Sequence, residues 1–520
     1  MTALSMFAVL AGNMFAQDVP VQTNPTVTEA THATTTIPFR DMADVGWHNV
    51  SKVMIEHDRS PKRHISRQPD AAAQTEVLPL IGATIGLNFD GITDSQGGGF
   101  VPPDTNASVG DTQVVETVNV AYAVWNKTTG TQEMAPKSIQ TLYAPVGGVC
   151  ATGNLSDPVV NYDKAAGRWV ITMIAFNNSF SVNAACMAVS TTSDATGKYH
   201  VYSFSYGNKL PDYPKVGVWP DAYYVTTNSF PGGGGFSGAE SCAMDRTNML
   251  AGKKAKMVCF QRGTGDFALL PADLDGGTAP PAGAPNYEMD LASSTALSLY
   301  KFHVDFVTTS KSTFTGPTSL TIPAYTDACA ATGTCIKQPS PGEPLDSLGG
   351  HLMFRMAYRN FGSHEAMVLN HSVKGAGTGK APSALRWYEI RNPGSSPAVF
   401  QSGTFGGGTS SASLWMGSIA MDKNGDIALG YSTSSGTVKP SIMYTGRVPT
   451  DALGKMETAA TIVTGGGVQE ASSNRWGDYS SMAIDPSDDC TFWYAQEYYK
   501  TSGSFNFSTR LASFKFAACH

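Results

Sequence analysis

Short runs of alternating apolar and polar residues fill the chain from Leu87 onward, and Gly, Pro, Asn and Asp separate these runs. Alternation with a period of two is the pattern of a β-strand that buries one face. Pairs of runs flank a short polar turn, as in residues 160–172, and this arrangement is typical of a β-hairpin. The sequence therefore predicts an all-β, antiparallel protein.

The hairpin pattern recurs along the chain. Six copies begin at Ser108, Val160, Val216, Met353, Ile419 and Met482, and a seventh covers residues 287–306. A spacing of roughly 50 to 70 residues suits a four-stranded blade with its loops, whereas the rungs of a solenoid are shorter. We predict a disulfide-stapled, seven-bladed β-propeller of four-stranded antiparallel blades over residues 86–520, with an array of β-sandwiches as the alternative fold.

The first 85 residues have a different texture. Residues 1–16 are apolar and rich in small side chains, which is typical of a signal peptide. Residues 17–85 carry Thr-rich and mixed-charge stretches without a regular apolar face, so we expect a disordered leader or propeptide there. No later run reaches the roughly 18 to 20 apolar residues that span a bilayer. These features predict a secreted or periplasmic protein, which we expect to be a monomer.

Eight cysteines in an exported chain are expected to form disulfides. Sequence alone allows about 105 pairings of eight cysteines. The order of the cysteines along the repeats favours four local pairs: Cys150 with Cys186, Cys242 with Cys259, Cys329 with Cys335, and Cys490 with Cys519. The chain contains no Cys-x-x-Cys motif, which argues against a metal–thiolate site.

Polar segments precede the first strand of most repeats, and a propeller would gather them around the mouth of a central channel. The chain has a formal net charge of −7 without a long run of one sign, which argues against nucleic acid or an anionic membrane as the partner. The candidate acids or bases are Asp104, Asp157 and Asp478; the candidate nucleophiles or donors are Tyr213 and Tyr479; the candidate carboxylate-binding groups are Arg355, Arg386 and Arg475; and the candidate sugar contacts are Lys215, Trp415 and Trp476. Each of these residues could instead bond turn amides or brace adjacent blades.

The sequence indicates no required cofactor and is compatible with a structural calcium ion. The segment Asp422-Lys-Asn-Gly-Asp426 resembles the start of a calcium loop, but it lacks the glutamate at the twelfth position, so a hairpin turn is favoured. His351, His364 and His371 belong to one repeat without the spacing of a known zinc site. The identity of any metal stays open.

Three phrases resemble a group of exported bacterial β-propellers that are described as sialidase-like. They are Asn161-Tyr-Asp-Lys-Ala-Ala-Gly-Arg-Trp169, residues 415–422 and residues 475–485, and the resemblance covers the chain from about residue 88 to its end. Sialidases use three arginines, a Tyr/Glu pair and an acidic Asp. The resemblance implies these roles for Arg355, Arg386, Arg475, Tyr479, Glu365 and Asp104. Degenerate turns stand where sialidases carry Asp-boxes.

These observations lead to one functional expectation and its alternatives. We expect a secreted carbohydrate-active enzyme that hydrolyses a glycosidic bond of a polysaccharide or glycoconjugate at the channel mouth. A polysaccharide lyase with Tyr479 or a histidine as the base is a close variant. A non-catalytic propeller that binds glycan or protein at a surface is the alternative from another class, because propellers host many functions.

Overall fold

The computed structural model describes residues 19–32, 35–47, 61, 63–76, 78–376, 381–406 and 411–520. The expected signal peptide, residues 1–16, lies outside the described residues. Strands dominate the described chain, as the alternating pattern predicts. None of the helices in these ranges is long and apolar enough to cross a membrane.

The described strands run in chain order from the N-terminal segment to the last sheet. They are β1 (Val21–Gln22), β2 (Thr26–Glu29), β3 (Thr31–His32), β4 (Ala83–Thr93), β5 (Asn106–Val109), β6 (Gln113–Val118), β7 (Ala121–Asn126), β8 (Gln132–Ser138), β9 (Asn154–Asp163), β10 (Arg168–Phe176), β11 (Asn183–Ser190), β12 (Tyr199–Gly207), β13 (Lys209–Val218), β14 (Tyr223–Pro231), β15 (Ala239–Met244), β16 (Lys256–Gln261), β17 (Leu270–Leu274), β18 (Asn286–Ser293), β19 (Ala296–His303), β20 (Thr313–Thr321), β21 (Thr334–Ile336), β22 (Leu345–Asp346), β23 (Met356–Asn360), β24 (Glu365–Val373), β25 (Ala384–Arg391), β26 (Ala398–Phe405), β27 (Ser413–Met421), β28 (Ile427–Ser434), β29 (Ser441–Arg447), β30 (Ala460–Val463), β31 (Ser481–Ile484), β32 (Phe492–Tyr499) and β33 (Phe507–Phe516).

Helical structure is confined to short connections. The α-helices are α1 (Gln140–Tyr143), α2 (Gly148–Thr152) and α3 (Arg246–Leu250), and the 3₁₀ turns are Phe39–Asp41, Ala144–Val146 and Thr309–Lys311.

Seven antiparallel units of four strands account for most of the described chain. In order, units 1 to 7 are β5–β8, β9–β12, β13–β16, β17–β20, β23–β26, β27–β30, and β31–β33 with β4. Within units 1 to 6, and from β31 to β33 of unit 7, strands that follow one another in the chain are antiparallel neighbours, which is why the local hairpin pattern is visible in the sequence. A parallel pairing of β17 with β23 joins units 4 and 5, and β21 and β22 form a separate small sheet.

The first strands of the units contact one another in succession. β5 contacts β9, and the series continues through β13, β17, β23, β27 and β31. β31 in turn contacts β5, so the succession returns to its start. We call the end at which these first strands begin the entry end, and the end at which they finish the exit end.

Unit 7 combines strands from both ends of the described chain. β4 pairs with β33 in antiparallel register, with Phe89 opposite Leu511. At the edge of this pair, Asp90 accepts hydrogen bonds from Arg510 at 2.7 Å and from the Tyr498 hydroxyl at 2.6 Å. The pairing begins at Ala83, three residues before the expected domain boundary at residue 86. The N-terminal strand therefore completes a sheet that the C-terminal strands begin.

The described parts of residues 17–85 differ from the expectation of a disordered leader. β1, β2 and β3 pair with β20, β16 and β12, so each adds a fifth strand to the outer edge of unit 4, 3 or 2. Further along, Ala73 pairs with Thr404 at the edge of unit 5, and Leu80 pairs with Thr458 next to unit 6. Main-chain hydrogen bonds make these contacts, and they need no apolar face. Composition and periodicity therefore carry no signal for them.

All eight cysteines are paired, in the four pairs that their order favours. Cys242 and Cys259 are opposite one another on β15 and β16. Cys490 and Cys519 join the turn before β32 to the segment after β33, so this disulfide holds the C-terminal segment against unit 7.

Two fully buried glutamates make a prediction about stability. Burial raises the pKa of Glu116 and of Glu288 from 4.5 to about 8. The folded state therefore holds a proton on each carboxyl that the unfolded state releases between about pH 4.5 and 8. We expect the free energy of unfolding to fall as the pH rises through this window, by up to about 1.4 kcal/mol per pH unit for each group.

The Glu288→Gln variant keeps an acceptor for the Ser241 hydroxyl, which lies 2.5 Å from Glu288 Oε1. Denaturant unfolding at pH 5 to 8 should show a shallower pH dependence for this variant than for the parent. Glu133→Gln, at an exposed position, is the control and should leave the slope unchanged. A parental slope in Glu288→Gln would show that Glu288 ionises normally.

Candidate functional site

A buried group of ionisable and aromatic side chains lies near the entry end of the first strands. We call it the entry cluster, and its members are Asp157, Tyr213, Lys215, His351, Arg475, Asp478 and Tyr479. β9 and β13 supply three of them, and the segments before β23 and β31 supply the rest. Four separate units therefore converge here, as the propeller hypothesis expects for polar entry segments.

Left-handed backbone positions place several of these side chains. In six units, one non-glycine residue in or just before the first strand has a positive φ. These residues are Asp104 (48°), Asp157 (54°), Tyr213 (55°), Ala268 (50°), Met416 (55°) and Asp478 (46°). In β13 the pairing with β14 skips from Asp212 to Lys215, which is a β-bulge around Tyr213. Bulges of this kind re-aim side chains and are frequent beside functional sites. A non-glycine residue in this region costs of order 1 to 3 kcal/mol, so the surrounding packing must hold it.

Asp157 and Tyr479 form the first acid–base pair of the cluster. The Tyr479 hydroxyl lies 3.0 Å from Asp157 Oδ2 and 3.2 Å from the carbonyl oxygen of Pro214. The Ser156 hydroxyl donates to Asp157 Oδ1 at 2.5 Å. Burial raises the pKa of Asp157, since the charged carboxylate loses its hydration. Asp157 is therefore suited to hold a proton that a carboxyl group in water would release.

Tyr213 and His351 form the second pair. The Tyr213 hydroxyl lies 2.9 Å from His351 Nε2 and 3.1 Å from the carbonyl oxygen of Asp478. Burial lowers the pKa of His351 to about 3, and the nearby Lys215 adds to the effect. The imidazole is therefore neutral at pH 7, and it can exchange a proton with the tyrosine hydroxyl.

Lys215 lies between the two tyrosines. Its Nζ atom is 2.9 Å from the ring centre of Tyr213 and 4.1 Å from that of Tyr479, and it has no hydrogen-bond partner among the described residues. Burial lowers the pKa of Lys215 well below 10.5, and the nearby carboxyl groups of Asp157 and Asp478 oppose this effect. The amine is held by ring faces and surrounding carboxylates, which gives the cluster a buried basic group.

Arg475 and Asp478 form an ion pair at the edge of the cluster, with Nε lying 3.3 Å from Oδ1 and NH2 bonded to Oδ2. Beside them lies Glu497 of β32, a residue that the sequence prediction missed. Burial raises the pKa of Glu497, and the charge of Asp478 raises it further. A signal for Glu497 exists in the sequence, because it is the one carboxylate in the otherwise uncharged run of β32.

An insertion between β20 and β23 packs against the entry end. It contains β21, β22 and the Cys329–Cys335 disulfide, and it supplies His351. Its side chains share a core with Trp415 and Trp476, and its Asp346 amide donates to the Asn474 carbonyl at 2.8 Å. With the insertion packed in this way, every residue of the entry cluster is at most 8% exposed.

The remaining predicted residues are divided between the cluster and other parts of the protein. Asp104 lies close enough for its charge to act on Lys215 and Tyr479. Glu365 lies elsewhere, where it accepts hydrogen bonds from the hydroxyls of Tyr358 at 2.7 Å and Tyr287 at 3.3 Å.

The expected convergence of three arginines does not occur. Arg355 pairs with Asp273 at 2.8 Å and with Asp275 at 2.6 Å, near the exit end. Arg386 is bonded to Asp70 at 2.5 Å, in the segment that the sequence analysis expected to be disordered. The three guanidinium groups are thus held by different carboxylates, because a buried charge needs a partner of opposite sign. Only Arg475 belongs to the entry cluster.

Trp415 and Trp476 are core residues and not the open platforms that a sugar would need. Their exposures are 0% and 1%. The indole N–H of Trp476 donates to Ser432 at 3.2 Å, and its ring stacks on Tyr499 at 5.5 Å between centroids. Aromatic residues near a channel mouth cannot be assigned from sequence to the core or the surface.

The metal candidates also separate. His371 bonds the Tyr388 hydroxyl at 3.0 Å, while His364 lies at the surface beside Ser363. The segment Asp422–Asp426 forms the hairpin turn that joins β27 to β28, as predicted. Among the described residues, the one close group of three potential metal ligands is Glu240 with Cys242 and Cys259. These two cysteines form a disulfide with each other.

No protein-family model and no curated protein matches the sequence. Solved structures do resemble the fold. An α-L-arabinanase of Penicillium chrysogenum has a TM-score of 0.37 at 10% identity, over 84% of this chain and 100% of its own. An α-L-arabinofuranosidase of Fusarium graminearum has a TM-score of 0.35 at 10% identity, over 84% of this chain and 99% of its own. A Hadza microbial sialidase has a TM-score of 0.36 at 10% identity, over 80% of this chain and 75% of its own. At these scores the resemblance carries no functional argument.

The core position of Trp476 predicts a large loss of stability on truncation. Trp476→Ala should lower the free energy of unfolding by about 3 to 5 kcal/mol, because it leaves a cavity. Trp47→Ala, at a position that is 39% exposed, is the matched control and should change it by less than about 0.5 kcal/mol. Equilibrium denaturation measures both. Equal, small effects would show that Trp476 is a surface residue.

Proposed function

We propose that this protein is a secreted, seven-bladed β-propeller that cleaves a glycosidic bond of a polysaccharide or glycoconjugate at the entry cluster. The seven four-stranded units and the cyclic succession of their first strands support the propeller. The four disulfides support an oxidising, extracytoplasmic compartment.

One observation carries the catalytic part of the proposal: two buried carboxyl groups of the cluster have different close partners. Asp157 is buried, and its pKa is raised. Asp478 faces the guanidinium of Arg475, which favours the ionised carboxylate. Glycosidic cleavage needs a proton donor for the leaving oxygen and an ionised carboxylate for the sugar carbon or for water. Asp157 supplies the first role and Asp478 the second.

Tyr479 and Glu497 influence the position and charge of the Asp157 and Asp478 carboxyl groups. Tyr479 follows Asp478 in the chain and hydrogen-bonds Asp157, so it fixes one acid relative to the other. Burial and the charge of Asp478 raise the pKa of Glu497, which favours its protonated form beside the Asp478 carboxylate.

Substrate access requires movement of the insertion that carries His351. The cluster side chains are closed off in this conformation. The insertion is held by its shared core with Trp415 and Trp476 and by hydrogen bonds to residues 469–474, such as Glu343 N to Gln469 O at 3.1 Å. Active-site segments that open and close are common in enzymes that exclude water from their reactions.

A lyase reaction is the second candidate, and the Tyr213–His351 contact favours it. A neutral imidazole beside a tyrosine hydroxyl can remove a proton next to a uronic carboxylate and return one to the leaving oxygen. The products distinguish the two reactions, since elimination yields an unsaturated sugar and hydrolysis does not.

Screening the full chain against neutral and acidic polysaccharides for new reducing ends tests the proposal. Asp157→Asn and Asp478→Asn should each lower kcat by about 100-fold or more, because each removes a proton-transfer or charge-stabilising group. Asp70→Asn is the matched control, since Asp70 also pairs with a buried arginine, Arg386, but outside the cluster. It should retain parental kcat.

Each variant is first compared with the parent by thermal unfolding, so that loss of activity is separated from loss of fold. Parental turnover in both cluster variants, or cleavage of none of the polysaccharides by the parent, would refute the enzymatic proposal. An ultraviolet-absorbing unsaturated product, abolished by His351→Ala, would favour elimination.

A further inference from the structure

A cavity of about 400 Å³ opens at the exit end, on the opposite side from the entry cluster. Turns that follow the first strands of five units line it, and we call it the exit cavity. Asp111, Lys164, Trp219, Gly277 and Asp489 represent these units. Asp157 and Asp163 lie six residues apart in β9, so the two sites are separated by about 20 Å along the strand.

Apart from Asp111, which is exposed at the rim, the charged side chains that line the exit cavity are paired with groups of opposite charge. Arg246 binds Asp163 through two contacts, of 2.6 and 2.9 Å. Lys164 pairs with Asp275. Asp489 is held by both terminal nitrogens of Arg359, at 2.6 and 2.7 Å. A charged ligand would have to displace one of these partners, and a buried ion left without a partner is costly. The cavity therefore favours an uncharged ligand.

The cavity nevertheless offers polar atoms next to an apolar wall. Exposed Pro220 and half-buried Leu274 and Pro486 form the accessible part of this wall, whereas Val218 and Trp219 are almost entirely buried, at 5% and 1% exposure. The carboxylate of Asp111 is at the rim and accepts a hydrogen bond from Tyr162 at 2.8 Å. Small-molecule sites of roughly 300 to 1,000 Å³ combine apolar walls with a few oriented polar groups in this way. A sugar ring presents both an apolar C–H face and hydroxyl edges.

The walls are firmly positioned. The Trp219 indole donates to the Ala284 carbonyl at 3.2 Å, and its ring packs edge-on against Tyr358 at 4.7 Å. Gly276 has a φ of 76°, and a Cβ atom there would lie 2.4 Å from Arg359. The positive φ favours glycine at this position, and the turn lies close to the Arg359–Asp489 pair. The cavity is thus part of the folded framework.

We propose that the exit cavity is a binding site for a neutral mono- or disaccharide unit, separate from the entry cluster. It would hold one part of a glycan at a fixed place on the protein, and it does not depend on catalysis at the entry cluster. The matched charges, the apolar wall and the volume carry this proposal together.

Filling the cavity with a side chain tests it. A Cβ atom at Gly277 meets no atom within 4 Å, so Gly277→Phe should fold while its ring occupies the cavity. Gly436→Phe is the matched control, since Gly436 also has open space and lies in the exposed β28–β29 turn. The probes are cellobiose, maltose, lactose and xylobiose as neutral disaccharides, and digalacturonic acid and glucosamine dimer as charged ones.

Calorimetric titration of the full chain should show saturable binding of at least one neutral disaccharide and weaker or no binding of the charged ones. Gly277→Phe should weaken the affinity at least 10-fold, and Gly436→Phe should leave it unchanged. The Asp478→Asn variant should bind as the parent does, so that this result is independent of the proposed reaction. The proposal is overturned if no neutral probe binds, if a charged probe binds more tightly, or if Gly277→Phe binds like the parent.

Discussion

The pairing of β4 with β33 is the constraint on which the rest of the architecture depends. Residues more than 400 positions apart, such as Asp90 and Arg510, meet in this pair. Without β4, unit 7 would have three strands and an uncovered edge on β33. Because the first strand of unit 7 contacts those of units 6 and 1, disorder in this sheet would spread to both neighbours. Main-chain pairing along β4, interrupted by two register shifts, offsets the entropy cost of closing this very long loop.

The N-terminal segment extends the same principle along the outside of the protein. It pairs with the outer edges of units 4, 3 and 2, then follows units 5 and 6 before it becomes the outer strand of unit 7. Exposed sheet edges are sites of aggregation, and proteins commonly cover them. Arg386, buried in unit 5, has its charge compensated by Asp70 of this segment. The segment is thus bound by electrostatic as well as main-chain contacts.

Features that depend on neighbouring residues were predictable from the sequence. The hairpins, the all-β class and the four local cysteine pairs all involve residues that are close in the sequence. The alternation of apolar and polar residues, the turn residues and the order of the cysteines indicate them. The entry cluster was predictable in part, because Asp157, Tyr213 and Tyr479 precede or begin first strands. The partners of Arg355 and Arg386 were not predictable, since Asp273 and Asp275 come from another unit and Asp70 comes from the N-terminal segment. The burial of Trp476 and the raised pKa of Glu497 likewise depend on packing that no local pattern encodes.

Amide hydrogen exchange of the full chain, followed peptide by peptide, tests the closure of unit 7 most directly. If β4 closes the sheet, peptides covering residues 83–93 and 507–516 should exchange slowly and at the same rate, because both amide sets open in one cooperative event. Rapid exchange of residues 83–93 beside a protected 507–516 would contradict the account.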